Sequence, residues 1–261
     1  MNSNSDGLSP SLRPLLGVGW NRALPAPFGF DNGFYPDGVN DYFELRLPSG
    51  YSTPSSFCIE FYMKFSTSGS TSGVLGYSDT SVSNFFGIRI SSNSLCIEKN
   101  GGVTTLFALS PGLRHIVVNY RSGAVDFYLD GIFMGSSNSA NVIGHTSVSL
   151  GSFKLGWSRF NASSGFYLAN PIDEFRFYNR NLTQSEVLLN YNGGVGNNPC
   201  LTEILDFWYK FEKFETLDFS QLQDNSDLRN GVRDFSGKNS HAQPVNMDTN
   251  PASPNYVLKP F

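Results

Sequence analysis

The stretch Pro171–Tyr191, PIDEFRFYNRNLTQSEVLLNY, constrains the fold more than any other, because a strand pattern passes directly into a short helix with a written start and stop. From Ile172 to Tyr178 the side chains alternate, with Phe175 and Phe177 on one face and Glu174, Arg176 and Tyr178 on the other. That is the pattern of a half-buried strand. Thr183 can cap the helix that follows, Glu186 can reach back to complete a capping box, and Leu182 can staple onto Val187. Asn192 and Gly193 tolerate the left-handed backbone that stops a helix.

The rest of the chain supplies strands. In Phe57–Phe65 the residues Phe57, Ile59, Phe61, Met63 and Phe65 alternate with Cys58, Glu60, Tyr62 and Lys64, which predicts one core face and one partly wet face. Further strands are expected at Val74–Tyr77, Phe85–Ser91, Ser94–Lys99, Thr104–Leu109, Leu113–Tyr120, Ala124–Asp130 and Ser147–Leu155. Asn100-Gly101 reads as a hairpin turn. Many short alternating strands spaced by turns predict an all-β, two-sheet antiparallel sandwich of jelly-roll type. A chain of 261 residues with 23 Phe is large enough to fill one such core.

Several segments carry a resemblance. Asn170–Thr183 with Glu186 resembles the motif that closes laminin-G-like domains of the concanavalin A-like lectin superfamily, with Asn170 in place of the usual glycine. Phe34–Leu45 resembles the opening strand of those domains, and FCIEFYMK at Phe57–Lys64 resembles a second, with Tyr62 where tryptophan is usual. Leu113–Met134 resembles their central hairpin, with Arg114 close to another usual tryptophan, and Gly156-Trp157 falls at a further family position. The resemblance covers roughly Phe34–Tyr191. It implies a concanavalin A-like jelly roll, a fold that hosts lectins, adhesion modules, hydrolases and capsid proteins.

The chain divides by composition. Residues 1–33, rich in Pro, Gly and Ser with scattered Leu15, Leu16, Trp20, Phe28 and Phe30, read as an extended arm that lies against something. Residues 34–192 are the sandwich and 193–200 a linker. In 201–261, the strand pattern at Leu205–Phe214 and the run Asp234–His241 resemble segments that normally open a laminin-G-like domain. About sixty residues cannot build a second sandwich, so this strand is expected to complete a sheet of its own domain or of a neighbouring subunit. Asn246–Phe261 reads as an extended tail.

Function is approached by exclusion first. With 15% charged residues and a net charge of −4, the chain offers no basic surface for nucleic acid, and it has no apolar run long enough to span a membrane. Its first residues lack a secretory pattern, which predicts a cytoplasmic or virion location. Cys58, Cys96 and Cys200 show no metal-ligand spacing and read as free thiols, so the glycosylation triplets at Asn161 and Asn181 are chance matches. The paired-carboxylate signature of concanavalin-like glucanases is absent, and Asp126 and Asp130 stand about 13 Å apart along a strand. His115 reads as a structural histidine. The chain is therefore expected not to be an enzyme. For calcium, Asp37, Asn40, Asp41 and Asp173 are oxygen donors of the right kind, and equally residues that cap turns. Glycan stacking could use Tyr35, Tyr77, Trp157 or Tyr167.

Two functions are expected. One is a structural or assembly protein, since the resemblance and the flanking arms suggest an oligomeric virion accessory component of bacteriophages, such as a capsid decoration, spike or fibre-associated protein, whose N- and C-terminal arms bind other subunits. The alternative is a carbohydrate-binding module for cell-surface or environmental glycans.

Overall fold

The computed structural model describes residues 30–45, 51, 54–67, 70–77, 86–99, 102–121, 124–137, 153–159, 165–219 and 228–261. The strands are β1 (Asn32–Phe34), β2 (Tyr42–Leu45), β3 (Phe57–Phe65), β4 (Ser72–Tyr77), β5 (Phe86–Ser91), β6 (Ser94–Lys99) and β7 (Gly102–Ala108). Then come β8 (Gly112–Arg121), β9 (Ala124–Leu129), β10 (Ile132–Ser137), β11 (Phe153–Leu155), β12 (Trp157–Arg159), β13 (Gly165–Tyr167) and β14 (Ile172–Tyr178). Helix α1 (Gln184–Tyr191) follows, then β15 (Leu205–Tyr209), β16 (Glu215–Asp218), β17 (Leu228–Gly231), β18 (Ala242–Val245) and β19 (Leu258–Pro260).

Two antiparallel sheets make a sandwich. An eight-stranded sheet runs β10-β9-β8-β3-β14-β1-β19 with β15 beside β14, and a seven-stranded sheet runs β18-β2-β11-β4-β5-β6-β7. Between them lie Phe57, Ile59, Phe61, Met63 and Phe65 of β3, with Phe175 and Phe177 of β14 and Ile88, Ile90, Leu95 and Ile97 from the opposite sheet. Phe57 stacks between Tyr120 and Phe177, with ring centroids 4.5 and 5.0 Å away. The strands 147–152, the turn at 100–101 and Phe85, expected from sequence, lie outside the described residues.

The wet faces expected for β3 and β14 are instead covered. Cys58, Glu60 and Tyr62 are buried, as is every residue of β14. The reason is α1, which lies across the outer face of the larger sheet and joins Val187 to Cys58, Val117, Tyr128, Tyr178 and Trp208 in a second apolar cluster. Its capping box is complete between Thr183 and Glu186, and Asn192 closes it at φ 46°.

The parity of β14 also needs an interruption. Ile172 and Phe175 both face the core although they are three apart, which a regular strand forbids. A bulge between Asp173 and Arg176, opposite Tyr62 and Glu60, absorbs the extra residue, and Glu174 takes φ 52° there.

Both ends of the described chain enter the sandwich. Asn32 and Gly33, placed by sequence in the arm 1–33, join Phe34 in β1 between β14 and β19, while residues 1–29 lie outside the described residues. Leu258–Pro260, read as tail, is β19, because its backbone completes the ladder beside β1. Strand β15 pairs with β14 of its own chain, Tyr209 opposite Phe175 and Phe207 opposite Phe177. The stretch 193–200, read as a linker, is held over the sheet: the Cys200 amide donates to Asn190 Oδ1 at 3.0 Å, and Arg176 Nη2 donates to the Asn197 carbonyl. A buried guanidinium needs such acceptors. Cys58 and Cys96 are buried and Cys200 partly so, all three as free thiols.

The hairpin β12–β13 lies almost in contact with β4. A Cβ on Gly73 would come within 2.2 Å of the Ser158 nitrogen and 2.4 Å of the Phe166 oxygen, both backbone atoms that cannot step aside. Gly73→Ala is expected to cost about 1–3 kcal/mol, read as a lower urea midpoint. An unchanged midpoint would show that the hairpin shifts freely.

Candidate functional site

The β1–β2 connection and the C-terminal segment enclose a cleft of about 570 Å³. Its walls carry Tyr35, Asp37 and Asp41 on one side and Asn246, Asp248 and Lys259 on the other. The backbone holds the two sides together, with Tyr35 N–H donating to Val257 O at 2.7 Å and Tyr35 Oη to Pro260 O at 2.7 Å. Asn246 Nδ2 adds a bond of 3.2 Å to the Asn40 carbonyl.

The carboxylates are shaped by the turns that bear them. Asp37 Oδ1 accepts from the Val39 and Asn40 amides, and Gly38 supplies the positive φ of 77° that this turn requires. Asp41 Oδ2 accepts from the Asp37 amide at 3.0 Å. Burial pushes the Asp41 carboxyl up from its ordinary pKa, and the neighbouring Asp37 charge adds to this against the pull of that amide. Asp248 is held down by the Ser253 hydroxyl and the Asn250 amide. Three carboxylates thus face one lysine, a negative lining rich in hydrogen-bond acceptors.

Three aromatic rings gather around Lys154. Trp157 and Tyr167 pair across β12 and β13, Tyr167 lies 6.4 Å from Tyr42, and Lys154 Nζ sits 4.7 Å over the Tyr42 ring and 5.1 Å from that of Trp157. All three rings are half-buried. Gly156 packs against the Asp41 carbonyl and the Tyr42 Cα.

Of the aromatic residues singled out by sequence, the structure brings Trp157 and Tyr167 together and puts Tyr35 in the cleft. The side chain of Tyr77 lies outside the described residues. Of the candidate calcium donors, Asp37 and Asp41 line the cleft, but they spend oxygens on turn amides. Asp173 does not line it: it is buried in β14, and its Oδ1 accepts from the Glu174 amide at 2.7 Å. Burial and the Glu174 charge drive the Asp173 carboxyl well above its ordinary pKa. Among the described residues no group of three or more His, Cys, Asp or Glu is placed to hold a metal ion.

His115 belongs to a network that sequence reading missed. Its Nε2 is 2.6 Å from Glu60 Oε1, while Glu60 Oε2 accepts from Tyr178 Oη at 2.6 Å and Asn190 Nδ2 at 2.9 Å. Arg176 lies 3.4 Å from Glu60 and 2.9 Å from Glu174, whose Oε2 also takes the Trp208 indole N–H. The side chains of Glu60, His115 and Arg176 have no exposed surface, so no substrate reaches them. The available signal was the placing of charged residues on supposedly wet faces of three neighbouring strands.

Comparison with known proteins agrees with this architecture. Residues 37–188 match the family profile Laminin_G_3 of the concanavalin A-like lectin/glucanases superfamily. No curated protein matches the sequence. Among solved structures, a candidate carbohydrate binding protein from Bacteroides ovatus ATCC 8483 superposes with a TM-score of 0.56 at 15% identity, over 84% of this chain. The chain spans 59% of that protein's length. A SAP-like pentraxin from Limulus polyphemus gives 0.47 at 13% identity over 62% of this chain and 82% of its own, and domains LG4-5 of mouse laminin alpha1 give 0.44 at 13% over 66% and 48%. The family profile spans more than half of the sequence, and the chain belongs to the concanavalin A-like lectin/glucanases superfamily as a laminin-G-like domain.

Proposed function

We propose that this protein is a non-catalytic glycan-binding domain and that the cleft between Tyr35 and Lys259 is where the sugar sits. The cleft itself carries the reading: its volume falls in the range of small-ligand sites, and acidic and amide side chains converge on it beside an aromatic ring. Sugar hydroxyls donate to carboxylates, and Tyr35 supplies an aromatic ring in the cleft wall. The likeness to a candidate carbohydrate binding protein supports the same reading.

The lining sets a preference. Three carboxylates against one lysine repel anionic sugars, so neutral glycans are expected to bind at least about tenfold more tightly than sialylated versions of the same oligosaccharide at low salt. The gap narrows once the screening length falls to ~10 Å near 0.1 M salt. A glycan array with the full chain, followed by calorimetry on a neutral and sialylated pair, tests both points. Binding of no sugar overturns the function, and equal or tighter binding of the sialylated form overturns the role of the acids.

A second reading is an assembly subunit of the kind found in bacteriophage virions. It draws support from the exposed apolar side chains Ile132, Phe133 and Met134. Native mass spectrometry of the purified chain against purified virion proteins separates this from the lectin reading.

A further inference from the structure

We propose that the cleft takes a cationic amino sugar, a glycan unit whose nitrogen is a free amine, and that the turn bearing Asp37 and Asp41 holds its ammonium group. This rests on the reading of the cleft as a glycan site and names the class of sugar that its lining selects.

Several acids elsewhere in the described chain come with a base of their own. Asp130 has Arg114 at 2.8 Å, Asp126 has Arg121 at 3.1 Å, Glu186 has Arg180 at 2.8 Å and Asp206 has Lys238 at 2.5 Å. Asp37, Asp41 and Asp248 do not: among the described residues no lysine or arginine makes an ion pair with any of them. Lys259 lines the same cleft and pairs with none of the three. Three carboxylates against one lysine leave two negative charges unmatched in one concave site. A ligand that brings a positive charge supplies what the lining lacks.

The oxygens are placed for an ammonium group. Asp37 gives Oδ1 to the Val39 and Asn40 amides at 2.7 and 3.2 Å, and Asp41 gives Oδ2 to the Asp37 amide at 3.0 Å. Each carboxylate is thereby fixed by one oxygen and keeps the other, Asp37 Oδ2 and Asp41 Oδ1, without a hydrogen bond from any described residue. Asp41 is only 4% exposed and lines the cleft, so its remaining oxygen is an acceptor with little water around it. Such an acceptor costs stability until a donor meets it. An ammonium group has three N–H donors, enough to reach both oxygens through charge-assisted bonds, roughly twice as strong as neutral ones. It also relieves the repulsion that the Asp37 charge exerts on Asp41. An acetylated nitrogen offers one N–H, no charge, and a carbonyl oxygen that both carboxylates repel. Calcium asks for roughly six to eight oxygens, and among the described residues no group of three or more His, Cys, Asp or Glu is placed to hold a metal ion.

Calorimetry of the full chain in low salt and EDTA tests this, with β-linked oligomers of glucosamine and of galactosamine against the same oligomers fully N-acetylated. At about pH 6 amines of this kind, close to an α-amino group of pKa about 7.7, carry their charge. One free-amine series is expected to bind at least about tenfold more tightly than its acetylated form, a gap that closes toward ~1 M salt, where the screening length is ~3 Å. Asp41→Asn is expected to cut that preference at least about threefold, and Lys259→Met to widen it. Both should melt near the wild type, since burial already disfavours the Asp41 charge and Lys259 is exposed. Equal or tighter binding of the acetylated oligomers overturns the amino-sugar assignment and leaves the glycan site standing. So does a preference that ignores Asp41→Asn or appears only when calcium replaces EDTA. Failure of both free-amine series also overturns the assignment, and the site reading falls with it only if the glycan array is empty as well.

Discussion

Replacing Glu60 with Gln is expected to lower stability by about 3–5 kcal/mol, the usual consequence of removing one partner from a buried charge cluster. For a chain of this size that corresponds to a fall in Tm of roughly 6–20 °C. Glu60 carries this weight because Arg176, His115, Tyr178 and Asn190 all converge on one fully buried carboxylate. Burial alone would push its pKa up; the Arg176 charge and the His115 and Tyr178 hydrogen bonds more than offset this and hold it at about 2. The sign follows. A carboxyl whose folded pKa lies below its unfolded value near 4.5 stabilises fully above that value and loses the contribution as pH falls toward 2. The wild type should therefore weaken between about pH 4.5 and 2, and Glu60→Gln should flatten that limb while lowering the neutral plateau. Arg176→Met should cost a similar amount, and the two should not add, since they share one interaction. A loss below about 1 kcal/mol in urea titration would show that the cluster carries no net weight.

A chain stopped after Pro199 is expected to lose cooperative unfolding altogether. The deletion takes β15 and β19 from one sheet and β18 from the other. With them go Phe207, Tyr209, Phe211, Val257 and Leu258, all buried in the main core. At about 1.5–3 kcal/mol for each large apolar side chain, the loss is comparable with the 5–15 kcal/mol that stabilises a typical domain, before counting the core surface laid bare. Phe207→Ala alone should cost about 3–5 kcal/mol. Circular dichroism melts with a hydrophobic dye check both variants, and a truncated chain that keeps its Tm would show that these strands are decoration.

How much of this was legible in the sequence depends on what each residue reports. The sandwich was readable because alternation in Phe57–Phe65 and Ala124–Asp130 is a local signal of sheet with a buried face. Helix α1 was readable because its caps are local chemistry at Thr183, Glu186 and Asn192. The burial of Glu60, Tyr62 and Arg176 was not, since it depends on α1 and the 193–200 stretch lying across the outer face. The bulge at Glu174 left a trace, the change of parity between Ile172 and Phe175, but only a known core side makes that trace meaningful. In the site, turn chemistry at Asp37-Gly38 was visible, whereas the cleft was not, because its second wall comes from residues 246–259, some two hundred positions later.

The pairing of β1 with β19 carries a consequence for biogenesis. Asn32 waits for Pro260 before that ladder can form. At 5–20 residues per second, the ribosome needs roughly 10–45 s to deliver the missing strand. Once Ile172 has been made, Phe34 and Ile172 belong to an unfinished sheet until Pro260 arrives, and nascent chains should engage holdase chaperones over that later part of the interval.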